Sequence, residues 1–260
     1  MLAYITKFLV NNPLEQFEMM DFVFLLAPIL GFTKLSLTNL GFYLIIVLLL
    51  ILAMNLLASN HYSLIPSRWS ISQESVYGSI LNLVRTSIGP QHETYVPLIY
   101  SFFTFILVSN LLGLIPYSFT VTSQFALCLG LSVSILMSVT IIGLLRHGVG
   151  FFAFFIPSGT PLGLVPFLVI LEVISYLARG LSLGIRLAGN IIAGHLLMKM
   201  FASATFFCLT SGLLSILLLS PFPFLVLFIF GGLELGVAFI QAYVFTVLIS
   251  SYIKDALYLH

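Results

Sequence analysis

Leu40 to Ser59 (LGFYLIIVLLLILAMNLLAS) is an uncharged run of 20 residues. A hydrocarbon layer about 30 Å thick needs about 20 apolar residues of helix. The run therefore predicts a transmembrane helix over 40–59. Before it, Asn11 to Lys34 carries Pro13, Glu15, Glu18, Asp21, Pro28 and Gly31. That pattern is too broken to span and predicts an interfacial segment. After the run, polar positions return at Arg68, Trp69, Glu74, Arg85 and Glu93. Among them Ile71, Val76, Ile80, Leu81, Leu83, Val84 and Ile88 recur at near-helical spacing. This predicts an amphipathic helix on the membrane surface.

From Thr94 to Leu145 the chain has no Asp, Glu, Lys or Arg. Pro116 and Tyr117 divide this stretch into two spans, Pro97–Ile115 and Ser123–Leu145. Arg146, His147 and Gly148 follow, then a loop with Pro157, Gly159 and Pro161. The last hundred residues form two long apolar segments, Leu162–Phe201 and Phe222–Tyr252, with a turn over Ala202–Pro221. No internal repeat is visible, so the chain reads as one domain. Its parts are an interfacial segment (1–39), a first span (40–59), an amphipathic segment (60–96), two spans (97–145) and a C-terminal hairpin (161–257). The predicted fold is an all-α integral membrane protein.

Composition agrees. Sixty per cent of the 260 residues are hydrophobic and 7% are charged, against about 25% charged in a soluble domain. Mean hydropathy is +1.19. Nine Lys+Arg against eight Asp+Glu leave no basic field for nucleic acid. Cys128 and Cys208 lie in apolar runs without ligand-like neighbours and read as small hydrophobes. Neither a disulfide nor a zinc framework is expected. Residues 1–12 lack the small-residue cleavage signature of a secretory signal. Alternating sides after each span puts Arg68, Arg85, Arg146 and Lys254 on one face, and Lys7 and Lys34 on the other. The excess predicts an inside C terminus.

Between Thr160 and Ile253 there are five formal charges: Glu172, Arg179, Arg186, Lys199 and Glu234, with His195 as a further titratable group. A charge near a bilayer centre costs at least about 2.5–3.5 kcal/mol, and such residues usually mark ion pathways. Glu172, Arg179 and Arg186 are seven apart, so each step drifts by only about 20° on a helix. Asn190, one turn further, returns to that stripe, and His195 falls near the opposite face. Leu162–Phe201 amounts to about 60 Å of helix, twice the hydrocarbon thickness, so the segment must tilt steeply, bend or run past water. Blander readings stay open from spacing alone. Lys199 and Arg179 can snorkel. Glu172 and Arg179 can form a structural pair. Glu234 and His195 can be satisfied core residues. Arg186 is the hardest to dismiss, because it stays charged mid-segment beside Gly184, Ile185 and Leu187. Gly180, Gly184 and Ala188, and likewise Gly232 and Gly236, are spaced for close helix approach.

At LSLGIRLAGNIIAGH (181–195) and LELGVAFIQAYVF (233–245) the chain resembles the subunit a family of F-type ATP synthases, in its mitochondrial form. The resemblance runs nearly end to end through PLEQFE (13–18), SRWSISQE (67–74), LIPYSFTVTS (114–123), PSGTPLGLVPFLVILEVISYLARG (157–180) and YIKDALYLH (252–260). SRWSISQE is most similar to fungal members. The resemblance implies a proton-conducting stator subunit of the mitochondrial inner membrane, with its C terminus in the matrix. It implies Arg186 as the essential charge separating two offset half-channels, with Asn190 one turn on and Gln241 facing it. His195 and Glu234 would line the intermembrane-space half-channel, in the mitochondrial rather than the reversed bacterial order. Glu172 would serve the matrix half-channel, with Asp255 near its exit. The partners implied are a ring of c subunits, the other membrane and peripheral-stalk subunits, and lipid. No cofactor or metal is implied.

Other classes fit less well. A haem-binding redox subunit needs paired His ligands at membrane depth, and only His195 qualifies. A secondary transporter usually shows internal repeats. A pure scaffold does not account for five intramembrane charges. Without a P-loop or soluble domain, the chain is not expected to make ATP itself.

Overall fold

The computed structural model describes residues 13–25, 35–59, 66–115, 118–156, 162–210 and 221–258. Its framework is six helices: α1 (Asn39–Ala58), α2 (Arg68–Ser87), α3 (Val96–Gly113), α4 (Phe125–His147), α5 (Val165–Thr210) and α6 (Pro221–Leu257). All except α2 belong to segments long and apolar enough to cross a membrane. The chain is a multi-pass membrane protein.

Local chemistry sets the helix starts. Thr38 caps α1 by accepting from the Gly41 N–H at 3.4 Å, and Ser67 caps α2 by accepting from Ser70 at 3.2 Å. Both satisfy amide donors that have no partner in the first turn. The amphipathic reading of α2 holds. Ile80, Val84 and, just past its end, Ile88 are buried while Glu74, Ser79, Asn82 and Arg85 are exposed; Ile71, expected on the buried stripe, is exposed. The buried stripe joins one apolar core with Ile99 and Ile106 of α3, Ile135 and Val139 of α4, Leu183 and Leu187 of α5, and Phe245 and Ile249 of α6.

Two features depart from the sequence reading. The N-terminal segment is more than an interfacial coil. Asp21–Leu25 and Leu35–Thr38 form strands β1 and β2, paired antiparallel with Phe24 opposite Ser36 and a bulge between Asp21 and Val23. The alternation in Leu-Ser-Leu-Thr has the period of a strand, which the count of helix-breaking residues obscured. The second departure is at α5, which continues through Thr210 rather than stopping near Phe201. Residues 202–210 contain neither Pro nor Gly, so nothing in them breaks the helix. The rest of the expected turn (211–220), the Pro116–Tyr117 break, the 157–161 loop and residues 1–12 lie outside the described residues.

At 46 residues, α5 is about 70 Å long. It cannot stand perpendicular inside a layer of about 30 Å. It lies between α4 and α6, packed on both.

Candidate proton-path site on the α5–α6 hairpin

The buried side of α5 is Gly180, Leu183, Gly184, Leu187, Ala188 and Ile191, the three-and-four spacing of one helix face. Small residues bring α4 very close. A Cβ at Gly184 would lie 2.8 Å from the Cys128 carbonyl oxygen and 2.5 Å from Ser132 Oγ. The other side of α5 exposes Leu181, Ile185, Arg186 and Asn190. Arg186 Nη2 donates to Ser182 Oγ, one turn back, at 3.5 Å. Among the described residues, no carboxylate lies within ion-pair distance of its guanidinium.

Arg179 is paired instead. Its guanidinium lies 3.4 Å from Asp255 Oδ2 and 3.8 Å from Glu172 Oε1. The Tyr252 hydroxyl donates to the Arg179 carbonyl at 3.4 Å. A cavity of about 10 Å³ lies against Tyr176, Arg179, Tyr252 and Asp255, close to the least space that holds one water. This joins the beginning of α5 to the end of α6. The Glu172–Arg179 pair is therefore part of a three-residue cluster that spacing along α5 alone did not reveal.

A second cluster joins the later part of α5 to the first half of α6. His195 Nε2 lies 3.5 Å from Glu234 Oε1. The Glu234 side chain is only 4% exposed, and neither carboxylate oxygen has a hydrogen-bond partner among the described residues. A buried carboxylate without partners is costly. Glu234 faces a cavity of about 300 Å³ that Asn190, Gly194 and Gln241 also line. That volume admits several waters, which would satisfy the carboxylate. Gly194 makes the approach possible, since a Cβ there would lie 2.8 Å from Glu234 Oε1.

The structure thus divides the candidate residues. Glu172 and Asp255 meet at Arg179. His195 meets Glu234, and it is Glu234 that shares a cavity with Asn190 and Gln241. Arg186 joins neither group. From Arg179 to His195 is 16 residues of α5, about 24 Å of rise, and from Glu234 to Asp255 is 21 residues of α6, about 32 Å. The two clusters are therefore offset along the hairpin by a distance near the hydrocarbon thickness, with Arg186 between them on α5.

Two contacts at the second cluster were missed in the sequence. Asn110 of α3 is 2% exposed, and its amide donates to the Ala238 carbonyl at 3.4 Å, one turn past Glu234. A lone Asn inside an uncharged run was an available signal. Phe17, in the 3-10 turn Pro13–Phe17, sets its ring against His195 with centroids 6.4 Å apart. Nothing in the sequence spacing pointed to that contact.

With the geometry in hand, comparison with known proteins is specific. The family model described as ATP synthase A chain matches residues 41–254. The chain is 52% identical over 253 residues to ATP synthase subunit a of Mycosarcoma maydis, covering 97% of this chain and 99% of that one. It is 49% identical over 252 residues to ATP synthase subunit a of Podospora anserina, covering 96% and 95%. With ATP synthase subunit a of Emericella nidulans it is 50% identical over 251 residues, covering 96% and 97%.

Proposed function

The chain belongs to the ATP synthase A chain family, and on that premise we propose that its α5–α6 hairpin forms two offset proton half-channels against a ring of c subunits. The family role is that of a membrane subunit of the Fo sector, working in a complex with other ATP synthase subunits and not catalytic by itself. The finer mechanism rests on one observation above the others. Two acid-containing clusters stand at opposite parts of the hairpin, and an arginine with no carboxylate partner among the described residues lies between them on an exposed face.

The physics follows from the cost of charge in lipid. A carboxylate on the rotor must be neutral to face hydrocarbon, because its ionised form is prohibitively expensive there. It exchanges its proton only where water reaches it. Glu234 and His195, beside the cavity shared with Asn190 and Gln241, deliver protons on one side. The cluster of Glu172, Arg179 and Asp255 receives them on the other. Arg186 faces the ring between the two. Its permanent positive charge favours the ionised form of an arriving rotor carboxylate and repels a proton taking the short path. The proton must then travel with the ring. The driving force is about 2.3 kcal/mol per charge per 100 mV.

The same reading places the protein in the mitochondrial inner membrane with the C terminus in the matrix. The Lys/Arg count and the relatives' near full-length match support this. Partners are the c-ring, the remaining membrane and peripheral-stalk subunits, and lipid. The direct test is assembly and proximity. A Cys placed at Asn190 should cross-link to a Cys near the rotor carboxylate in the purified complex, and the chain should co-purify with a ring of two-helix proteolipids. A chain that purifies with no ring, or cross-links only from the α4-facing side of α5, would contradict the proposal.

A further inference from the structure

His195 has a second neighbour that the half-channel account does not use. The ring of Phe17 meets the imidazole edge-on, at 6.4 Å between centroids and 69° between planes. Phe17 is itself half-buried. Its carbonyl accepts a 2.8 Å hydrogen bond from Gln124 Nε2, 107 residues away at the start of α4. The turn Pro13–Phe17 also packs on α5. These are independent anchors, one through the backbone and one through the side chain. Together they hold the N-terminal turn against the face of α5 that carries His195. The imidazole thus touches both the Phe17 ring and Glu234 Oε1, the latter at 3.5 Å from its Nε2. A histidine has several staggered side-chain rotamers, and only some keep Nε2 near that carboxylate. A ring packed against it removes the wrong ones.

We infer that Phe17 is a positioning residue for His195, and that Gln124 holds Phe17 in place. The inference rests on the proposed role of His195 in the proton path, but its structural part stands alone. Losing the Phe17 ring frees the imidazole to turn away from Glu234. It also opens His195 to small reagents from the side of the N-terminal turn. Losing the Gln124 amide lets the whole turn drift and has the same effect by another route.

The test uses the assembled complex in membranes. Diethyl pyrocarbonate modification of His195 is followed by mass spectrometry of its peptide, with passive proton conductance measured on the same preparations. Phe17→Ala and Gln124→Ala should each raise the His195 modification rate several-fold and lower conductance. Phe17→Tyr should stay near wild type. The comparison is made only among variants with wild-type levels of assembled complex, and Gln124→Ala serves if Phe17→Ala does not assemble. An unchanged His195 modification rate in the assembling variants overturns the positioning role, whatever the conductance. A raised rate with wild-type conductance keeps the positioning role and removes His195 from the proton path.

Discussion

A Cβ added to Gly194 would fall 2.8 Å from Glu234 Oε1 and 3.1 Å from its Cδ. One helix of the hairpin thus leaves a gap in its surface that a buried carboxylate from the other fills. The contacting atoms are the far end of a flexible side chain, so a methyl group at Gly194 displaces the carboxylate more easily than it separates the helices. We expect Gly194→Ala to assemble normally but to lower proton conductance several-fold, because Glu234 moves from His195. Immunoblotting of the assembled complex beside conductance in vesicles checks this. Normal conductance would mean that the position of Glu234 is not critical.

Gly184→Ala should behave differently. Here the added methyl meets the Cys128 backbone carbonyl at 2.8 Å, which cannot rotate away. Overpacking of this kind typically costs about 1–3 kcal/mol. The expected outcome is less assembled complex and a lower Tm, together with a loss of coupling as Arg186 shifts with its helix. Wild-type thermal stability would show that α4 and α5 have more freedom than their packing indicates.

His195 and Glu234 are expected to act as a relay. An imidazole can take a proton on one ring nitrogen and release one from the other, so beside a carboxylate it can hand protons on. His195→Leu and Glu234→Leu should each cut conductance strongly. The exchange of both, His195→Glu with Glu234→His, should recover more flux than either single exchange. If the double variant is no better than the worse single one, Glu234 acts alone.

Arg179 shares two carboxylates, and the three side chains are about a third exposed. Removing one carboxylate leaves the guanidinium its other partner, so either variant should assemble and show its effect in proton flux. Glu172→Gln and Asp255→Asn should slow proton release and alter the dependence of flux on pH at the C-terminal side of the membrane. A change confined to the pH dependence on the other side would reverse the half-channel assignment.

The spans were legible because lipid imposes a length and a polarity on each of them. Leu40–Ser59 and Thr94–Leu145 announce helices by lacking charge, and α2 by its apolar spacing. The β1–β2 pair was not legible, since four or five alternating residues weigh little beside Pro28 and Gly31. The site was half legible. The cost of burying charge singled out Glu172, Arg179, Arg186, Lys199 and Glu234, and family resemblance supplied roles for Glu172, Arg186 and Glu234 and for His195, Asn190, Gln241 and Asp255. The sequence could not show that Arg179 joins Glu172 to Asp255, 76 residues away from it. Nor could it show that Asn110 reaches the Ala238 carbonyl or that Phe17 meets His195. These contacts depend on how helices pack, and no periodicity along one helix encodes them.

On the proposed mechanism, Arg186 forces protons to travel with the ring. The most direct measurement is ATP synthesis in energised inverted vesicles carrying Arg186→Ala, read beside passive proton leak through the membrane sector. We predict that coupled synthesis is abolished and that leak rises, as the positive barrier between the half-channels is removed. Arg186→Lys should fail as well, since lysine lacks the planar fork and can lose its charge. Wild-type coupling in either variant would contradict the account.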